Sequence, residues 1–192
     1  TMTETQVIYI YAASTVDPNC TIETSFEVII QHVKADDPAD VISCGNYTLP
    51  SLSPDNYYYA QPGGPSNNVN PVTPETIISS STTLYVYTES NERIPCSDEN
   101  ELKITIATIP VANPVPVSLT TVCDEDGKND GITLFDLTQL NATILGTQTS
   151  SNYKLQYFET QNDALTENNP IVSTYLKKVY AKLSNTIAAD CF

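Results

Sequence analysis

Three features of this 192-residue sequence predict an all-β fold of tandem, elongated sandwich domains: its composition, a hairpin pattern that recurs with a fixed internal spacing, and a Pro-rich stretch between two copies of that pattern. Thr, Ser, Asn, Val, Ile and Tyr dominate, with 12 Tyr, one His, one Met and no Trp. β-Branched and aromatic side chains suit a pleated, half-buried surface, where their stiff rotamers pack against cross-strand neighbours. The 13 Pro and 6 Gly are spread along the chain, so no long helix is expected.

The recurring hairpin is the strongest of the three. Residues 7–30 (VIYIYAASTVDPNCTIETSFEVII) align without a gap onto residues 83–106 (TLYVYTESNERIPCSDENELKITI), an offset of 76 that matches Tyr9 to Tyr85, Tyr11 to Tyr87, Ser14 to Ser90 and Cys20 to Cys96. A third copy starts near Lys178 and places Tyr180 where Tyr9 and Tyr85 stand. The Tyr-to-Cys interval is 11 in all three: 9 to 20, 85 to 96, 180 to 191. Internal self-similarity of this kind marks a repeat architecture. Within each copy, Ile8 and Ile10, or Leu84 and Val86, alternate with Tyr. Phe26, Val28 and Ile30, or Leu102, Ile104 and Ile106, form the second limb. Period-two alternation puts one face in a core and the other outside, with the Cys in the loop between the limbs.

Upstream features recur as well. Val41-Ile-Ser-Cys44 is followed by Tyr47-Thr-Leu-Pro-Ser-Leu52, and Thr120-Thr-Val-Cys123 by Leu134-Phe-Asp-Leu-Thr-Gln-Leu140. Tyr57-Tyr58-Tyr59 and Tyr153-Lys-Leu-Gln-Tyr-Phe158 each read as a strand opening into a polar loop. The Pro-rich segment 109–117 is the linker, which its prolines keep extended and stiff. The boundaries that follow are 1–32, the closing hairpin of a preceding partial domain; 33–112, a full domain; and 113–192, a domain without its last strand. Roughly 75–80 residues with several short strands point to an immunoglobulin-like order, the Tyr-bearing limb being strand F and the next limb strand G. Exchange of a leading hairpin between molecules is a rarer way to account for the same ends.

Five cysteines occur once per repeat junction, at 20, 44, 96, 123 and 191, with no C-x-x-C pair. With one His, a zinc site is not expected. Thinly cored domains of oxidising compartments use disulfides, so bridges Cys44–Cys96 and Cys123–Cys191 are expected within the two domains, with Cys20 unpartnered. That expectation assumes a sandwich entered from the end opposite its F–G loop, so that the first strand finishes beside that loop. The alternative is a set of buried free thiols.

Two further groups are candidate sites. Cys123-Asp-Glu-Asp-Gly-Lys-Asn-Asp-Gly131 gathers acids around glycines, as a loop wrapping oxygen ligands around Ca²⁺ does. Asp124, Asp126 and Asp130, with Asp136, are the candidate ligands; the plainer reading is a solvated acidic turn. Tyr57, Tyr58 and Tyr59, followed by Gly63-Gly64, are a candidate platform for a surface polysaccharide, against ordinary strand packing.

Charge and missing motifs exclude other classes. Eight Lys and Arg face 23 Asp and Glu, a net charge of −15, which phosphate backbones repel; nucleic acid is not an expected partner. No run of about 18 apolar residues is present to insert in a membrane. Thr1-Met2-Thr3 shows neither part of a signal peptide. The lone His32 sits beside a linker rather than near a nucleophile, Gly63-Gly64 lacks the Lys of a phosphate loop, and no two carboxylates are tied to one cleft. A non-enzymatic role is expected, with no cofactor other than calcium. Asn19, Asn46 and Asn141 open short Asn-x-Thr matches of little specificity.

Cys123-Asp-x-Asp-Gly…Phe135-Asp-Leu-Thr138, Gln156-Tyr-Phe-Glu-Thr-Gln-Asn-Asp-Ala164 and Asn169-Pro-Ile171 resemble repeats in large surface proteins of Bacteroidetes. Cys44…Tyr47-Thr-Leu-Pro50, Tyr58-Tyr59, Gly63-Gly64 and Leu84-Tyr-Val-Tyr-Thr-Glu89 resemble a sister type. The resemblance implies export by the type IX secretion system, an extracellular, cell-surface location, and a structural or adhesive role as in gliding-motility adhesins. Partners would be neighbouring repeats of the same chain, a surface polysaccharide or other cell-surface proteins; an accessory domain of a secreted enzyme is the remaining option. The acidic loop of such repeats runs Asp-x-Asp-Gly-Asp-Gly, which Lys128-Asn129 interrupts here.

Overall fold

The computed structural model describes residues 4–128, 130–175 and 178–192. Thr1, Met2 and Thr3 of the first predicted segment, and Asn129 of the acidic loop, lie outside the described residues. The chain is mostly strand, in keeping with an all-β class. Among the described residues no helix is long and apolar enough to cross a membrane.

Strands β1 (Gln6–Ala13) and β2 (Thr21–Val28) form the first predicted hairpin. Nearly every residue of it is exposed: Tyr9 66%, Ile22 70%, Phe26 50%. Six strands follow: β3 (Val41–Cys44), β4 (Tyr47–Thr48), β5 (Asn56–Tyr59), β6 (Ile77–Ile78), β7 (Thr82–Glu89) and β8 (Ser97–Ala107). Their order in the main sheet is β3-β8-β7-β5, with β3 parallel to β8 and the other pairings antiparallel; β4 and β6 form a separate antiparallel ladder. Between sheet and ladder lies a first core of Ala35, Leu49, Tyr58, Leu84, Val86, Leu102 and Ile104. Leu84 opposes Leu102, and Val86 comes two residues later on the same face, as period two requires.

The two hairpins share one register. Gln6 opposes Val28 and Ala13 opposes Thr21; 76 positions on, Thr82 opposes Ile104 and Glu89 opposes Ser97. What differs is the continuation. β8 runs on through Thr105, Ile106 and Ala107 because β3 pairs with those residues, whereas β2 stops at Val28 and pairs with β1 alone.

The remaining strands are β9 (Phe135–Asp136), β10 (Tyr153–Phe158), β11 (Ser173–Thr174) and β12 (Tyr180–Asn185), pairing β9 with β11 and β10 with β12. They enclose a second core of Leu137, Leu140, Ile144 and Tyr157. Here the recurring runs differ in structure: Tyr47–Thr48 is strand, whereas its counterpart turns helical after Asp136. Leu137–Leu140 is a 3₁₀ turn that runs into helix α1 (Asn141–Leu145). Asp136 caps it by accepting the Thr138 amide at 2.9 Å, and the buried positions 137, 140 and 144 follow helical spacing. The polar loop after β10 holds a second helix, α2 (Gln161–Thr166), capped by Thr160 accepting the Asp163 amide at 3.1 Å.

The segment joining the two cores forms no strand or helix up to Pro116, and it is tied to the second core. Val111 donates to the Gln148 side chain at 3.0 Å, Gln148 returns a bond to the Val111 carbonyl at 2.6 Å, and the Asn113 amide donates to the Ile144 carbonyl at 3.0 Å.

Candidate functional site

The joint between the cores is built where β8 leaves the first sheet. Cys44 is the register partner of Ala107, and the next amide, Gly45, donates to the Ala107 carbonyl at 2.8 Å. Gly45 has φ +76, and a Cβ there would lie 2.9 Å from Ile109 Cδ1, so this turn favours glycine. From the second core, the loop after β12 folds back: the Asn185 amide donates to the Cys191 carbonyl, and Cys191 to the Ala188 carbonyl, both at 2.9 Å. This brings Cys191, fully buried, onto Ala107 and Ala188. The Asn185 side chain donates to the Thr108 carbonyl at 3.0 Å, and the Thr108 and Tyr153 hydroxyls lie 2.6 Å apart.

Cys44 and Cys191 are joined in a disulfide, with Cα atoms 5.3 Å apart across 147 residues of sequence. This overturns the expected pairs Cys44–Cys96 and Cys123–Cys191. Because β3 runs parallel to β8, Cys44 lies level with the end of β8, while Cys96 stands just before its start. The ten steps from Ser97 to Ala107 span about 33 Å, against a Cα limit of about 7 Å for a disulfide. Cys96 is a half-buried thiol; Cys20 and Cys123 are exposed thiols.

The other sequence candidates are dispersed. Tyr57 is half exposed, but Tyr58 is 0% exposed, its hydroxyl donating to the Pro50 carbonyl at 3.3 Å. Tyr59 is buried edge-on against Tyr87, ring centroids 5.9 Å apart. The three rings form no common platform, because alternation sends Tyr58 to the core face and the segment after Gly63 covers Tyr59 and Tyr87. Asp124, Asp126 and Asp130 do come together, each offering a carboxylate oxygen within 4.8 Å of the others. One oxygen of each accepts a backbone amide: Gly131 to Asp124, Lys128 to Asp126, Ile132 to Asp130. Asp124 Oδ1 is buried and has no hydrogen-bond partner among the described residues. Asp136 is not part of this group; its carboxylate caps the 3₁₀ turn, and the hydrogen bonds from Thr138 hold it below the usual aspartate range.

Near the joint, Glu167 bridges Lys154 and Lys182, each at 2.9 Å, and bonds from these ammoniums hold its carboxyl below the usual glutamate range. Lys182 also lies 4.1 Å from the centre of the Phe192 ring, so the end of the chain is pinned to β12. Sequence reasoning did not find this cluster, since its members are spread over 39 positions with no local motif.

A bridge that leaves one core for the next is what the comparison with known families also describes. Residues 119–192 match the family described as the Flavobacterium inter-domain disulphide bond domain. No curated protein and no solved structure matches the chain. The matched segment, under half of the chain, holds Cys191, whose partner Cys44 lies outside it, in the first core's sheet. Match and bridge together point to an extracellular, Bacteroidetes-type surface domain with an inter-domain structural role.

Proposed function

We propose that the chain is a non-catalytic segment of a large secreted surface protein of the gliding or surface-adhesin kind, exported by type IX secretion. In this reading immunoglobulin-like units follow one another, and the joint between the units at 33–112 and 113–192 is locked by a disulfide. The Cys44–Cys191 bridge carries the reading, since it holds a strand of one unit to the F–G loop of the next. The unit assignment is supported by the sheet order β3-β8-β7-β5 facing a β4-β6 ladder, with a first strand parallel to the last. Small-angle scattering on the oxidised chain and on Cys44→Ser tests it: the oxidised chain should keep one fixed profile, and the variant should show a spread of inter-unit angles. Identical profiles would refute a locking role.

A ligand-binding reading rests on Tyr57 alone, half exposed beside a shallow cavity of about 160 Å³ with Asp55, Glu89 and Asn91 at its walls. Binding on a glycan array that Tyr57→Ala abolishes would favour it. Calcium belongs to the proposal through Asp124, Asp126 and Asp130, whose clustered oxygens include the unpartnered Asp124 Oδ1. A melting temperature equal in calcium and in chelator removes that part and leaves the rest standing.

A further inference from the structure

The joint at Cys191 has an unfilled counterpart at Cys96. In all three copies of the hairpin loop, the residue five positions after the shared Tyr donates its amide to the Cys carbonyl: Ser14 to Cys20, Ser90 to Cys96 and Asn185 to Cys191, each at 2.9 Å. Cys96 is therefore held as Cys191 is. It also faces the same place. Cys191 packs on Ala107, and the residue 76 positions before Ala107 is Gln31; Cys96 Sγ lies 3.8 Å from Gln31 Oε1, and Ser90 Oγ lies 3.4 Å from it. Each loop thus sits over the end of the strand that leads into its own core.

At the Cys191 joint that place also holds β3, which pairs Val41, Ile42, Ser43 and Cys44 with Ile104, Thr105, Ile106 and Ala107. The equivalents of those four residues are Val28, Ile29, Ile30 and Gln31; Val28 pairs with Gln6 of β1, and among the described residues no strand pairs along their other edge. In its stead is an open cavity of about 360 Å³, lined by Ile29, Gln31, Glu92, Arg93, Ile94 and Cys96. Ile29 and Ile94 are 64% and 78% exposed. A free strand edge next to exposed isoleucines is a template for one more strand.

We propose that this cleft receives a β3-type strand from another repeat of the same protein, upstream in sequence. It pairs in parallel with Val28–Gln31 and brings its terminal cysteine, at the register of Gln31, into a disulfide with Cys96. The rule is that the opening cysteine of one repeat bonds the F–G-loop cysteine of the next, as Cys44 bonds Cys191. The inference rests on the repeat reading above and names the partner of a thiol which that reading leaves free. In the bonding step both thiols lose their protons and together two electrons, the sulfur–sulfur bond forms, and the electrons pass to a disulfide-bearing oxidant, which becomes a dithiol.

Peptide mapping of the full-length protein, collected from the cell exterior and alkylated before reduction, tests this. Trypsin separates all five cysteines, because Lys34, Arg93, Lys103, Lys128 and Lys182 cut between them. The expected result is peptide 94–103 linked to a cysteine that ends a strand upstream of Thr1, the link being lost on reduction. Cys96 found alkylated, or linked to Cys20, to Cys123 or to Cys96 of a second copy, overturns the proposal. The same digest reads peptide 35–93 linked to the peptide that begins at Leu183 and holds Cys191. If that link is missing, the underlying reading fails; if it is present while Cys96 is alkylated, only the extension to the upstream repeat fails.

Discussion

Pulling the chain from its ends gives a direct measure of what the Cys44–Cys191 bridge does. The bridge closes 147 residues into a loop that force cannot extend. At about 3.5 Å per residue, the loop hides about 500 Å of contour. The full chain would extend to about 670 Å, and the oxidised chain to about 150 Å, nearly all from the residues before Cys44. In single-molecule force spectroscopy the oxidised protein should stop at the short length, while reductant or Cys191→Ser should release the hidden contour. The discarded pairing makes a different trace: Cys44–Cys96 and Cys123–Cys191 would hide about 180 Å and 240 Å in two separable increments. An oxidised chain extending to full length, or showing those two increments, would refute the argument from strand direction that places Cys44 and Cys96 at opposite ends of β8. At equilibrium, closing a loop of this size stabilises the folded chain by about 5 kcal/mol on the chain-entropy account, which denaturant titration with and without reductant would read.

The remaining expectations concern the parts the joint connects. Leu102→Ala, which empties a fully buried site in the first core, should cost about 2–5 kcal/mol in the transition of that core and leave the near-ultraviolet signal of Tyr157 in place. Gly64→Ala should destabilise by more than about 1 kcal/mol, because φ there is +53 and a Cβ would lie 2.7 Å from the Tyr87 ring; an unchanged melting temperature would contradict the packing described. Glu167 has a folded-state pKa below its unfolded value of 4.5, so its contribution is present above that value and is lost as pH falls through the folded one. The stability gap between wild type and Glu167→Gln should therefore be open at neutral pH and narrow as pH falls below 4.5. A gap of constant size across that range would mean the two lysines do not favour the charged form.

Strands that carry alternation over eight residues were legible in the sequence, and so was their repetition. Tyr9, Tyr85 and Tyr180 fall on equivalent strands, and the hairpin register is kept pair by pair at the 76-residue offset. Two-residue strands such as β9 and β11 are too short to carry a period. The helical turn at Leu137–Leu145 was legible in principle, with Asp136 as cap and apolar residues at helical spacing, but analogy with Tyr47–Leu52 masked it. The disulfide was missed for a topological reason. Sequence spacing shows that Cys44 and Cys96 belong to one repeat, but not whether β3 runs with or against β8, and that direction alone decides which end of the sheet Cys44 occupies. The acidic loop was found as a cluster, while Asp136 was assigned to it only by proximity in sequence.

Why the covalent link sits at the joint follows from where apolar surface is buried. Each core is closed by large side chains: Tyr58, Leu102 and Ile104 in the first, Leu137 and Tyr157 in the second. Among the described residues, the buried apolar cluster at the joint is Ala107 and Ala188 with the two half-cystines. Two alanines bury little area, and at about 25 cal/mol per Å² such a contact cannot fix an angle between two bodies. The hydrogen bonds that Asn185 and Tyr153 make with Thr108 add direction, but each contributes only about 1 kcal/mol net. A disulfide adds stabilisation without needing bulk, and small neighbours are what let Cys44 and Cys191 approach to a Cα distance of 5.3 Å. Replacing Ala107 with Leu should then do more harm to bridge formation than to either core, read as a rise in free thiol at Cys191 with little change in circular dichroism.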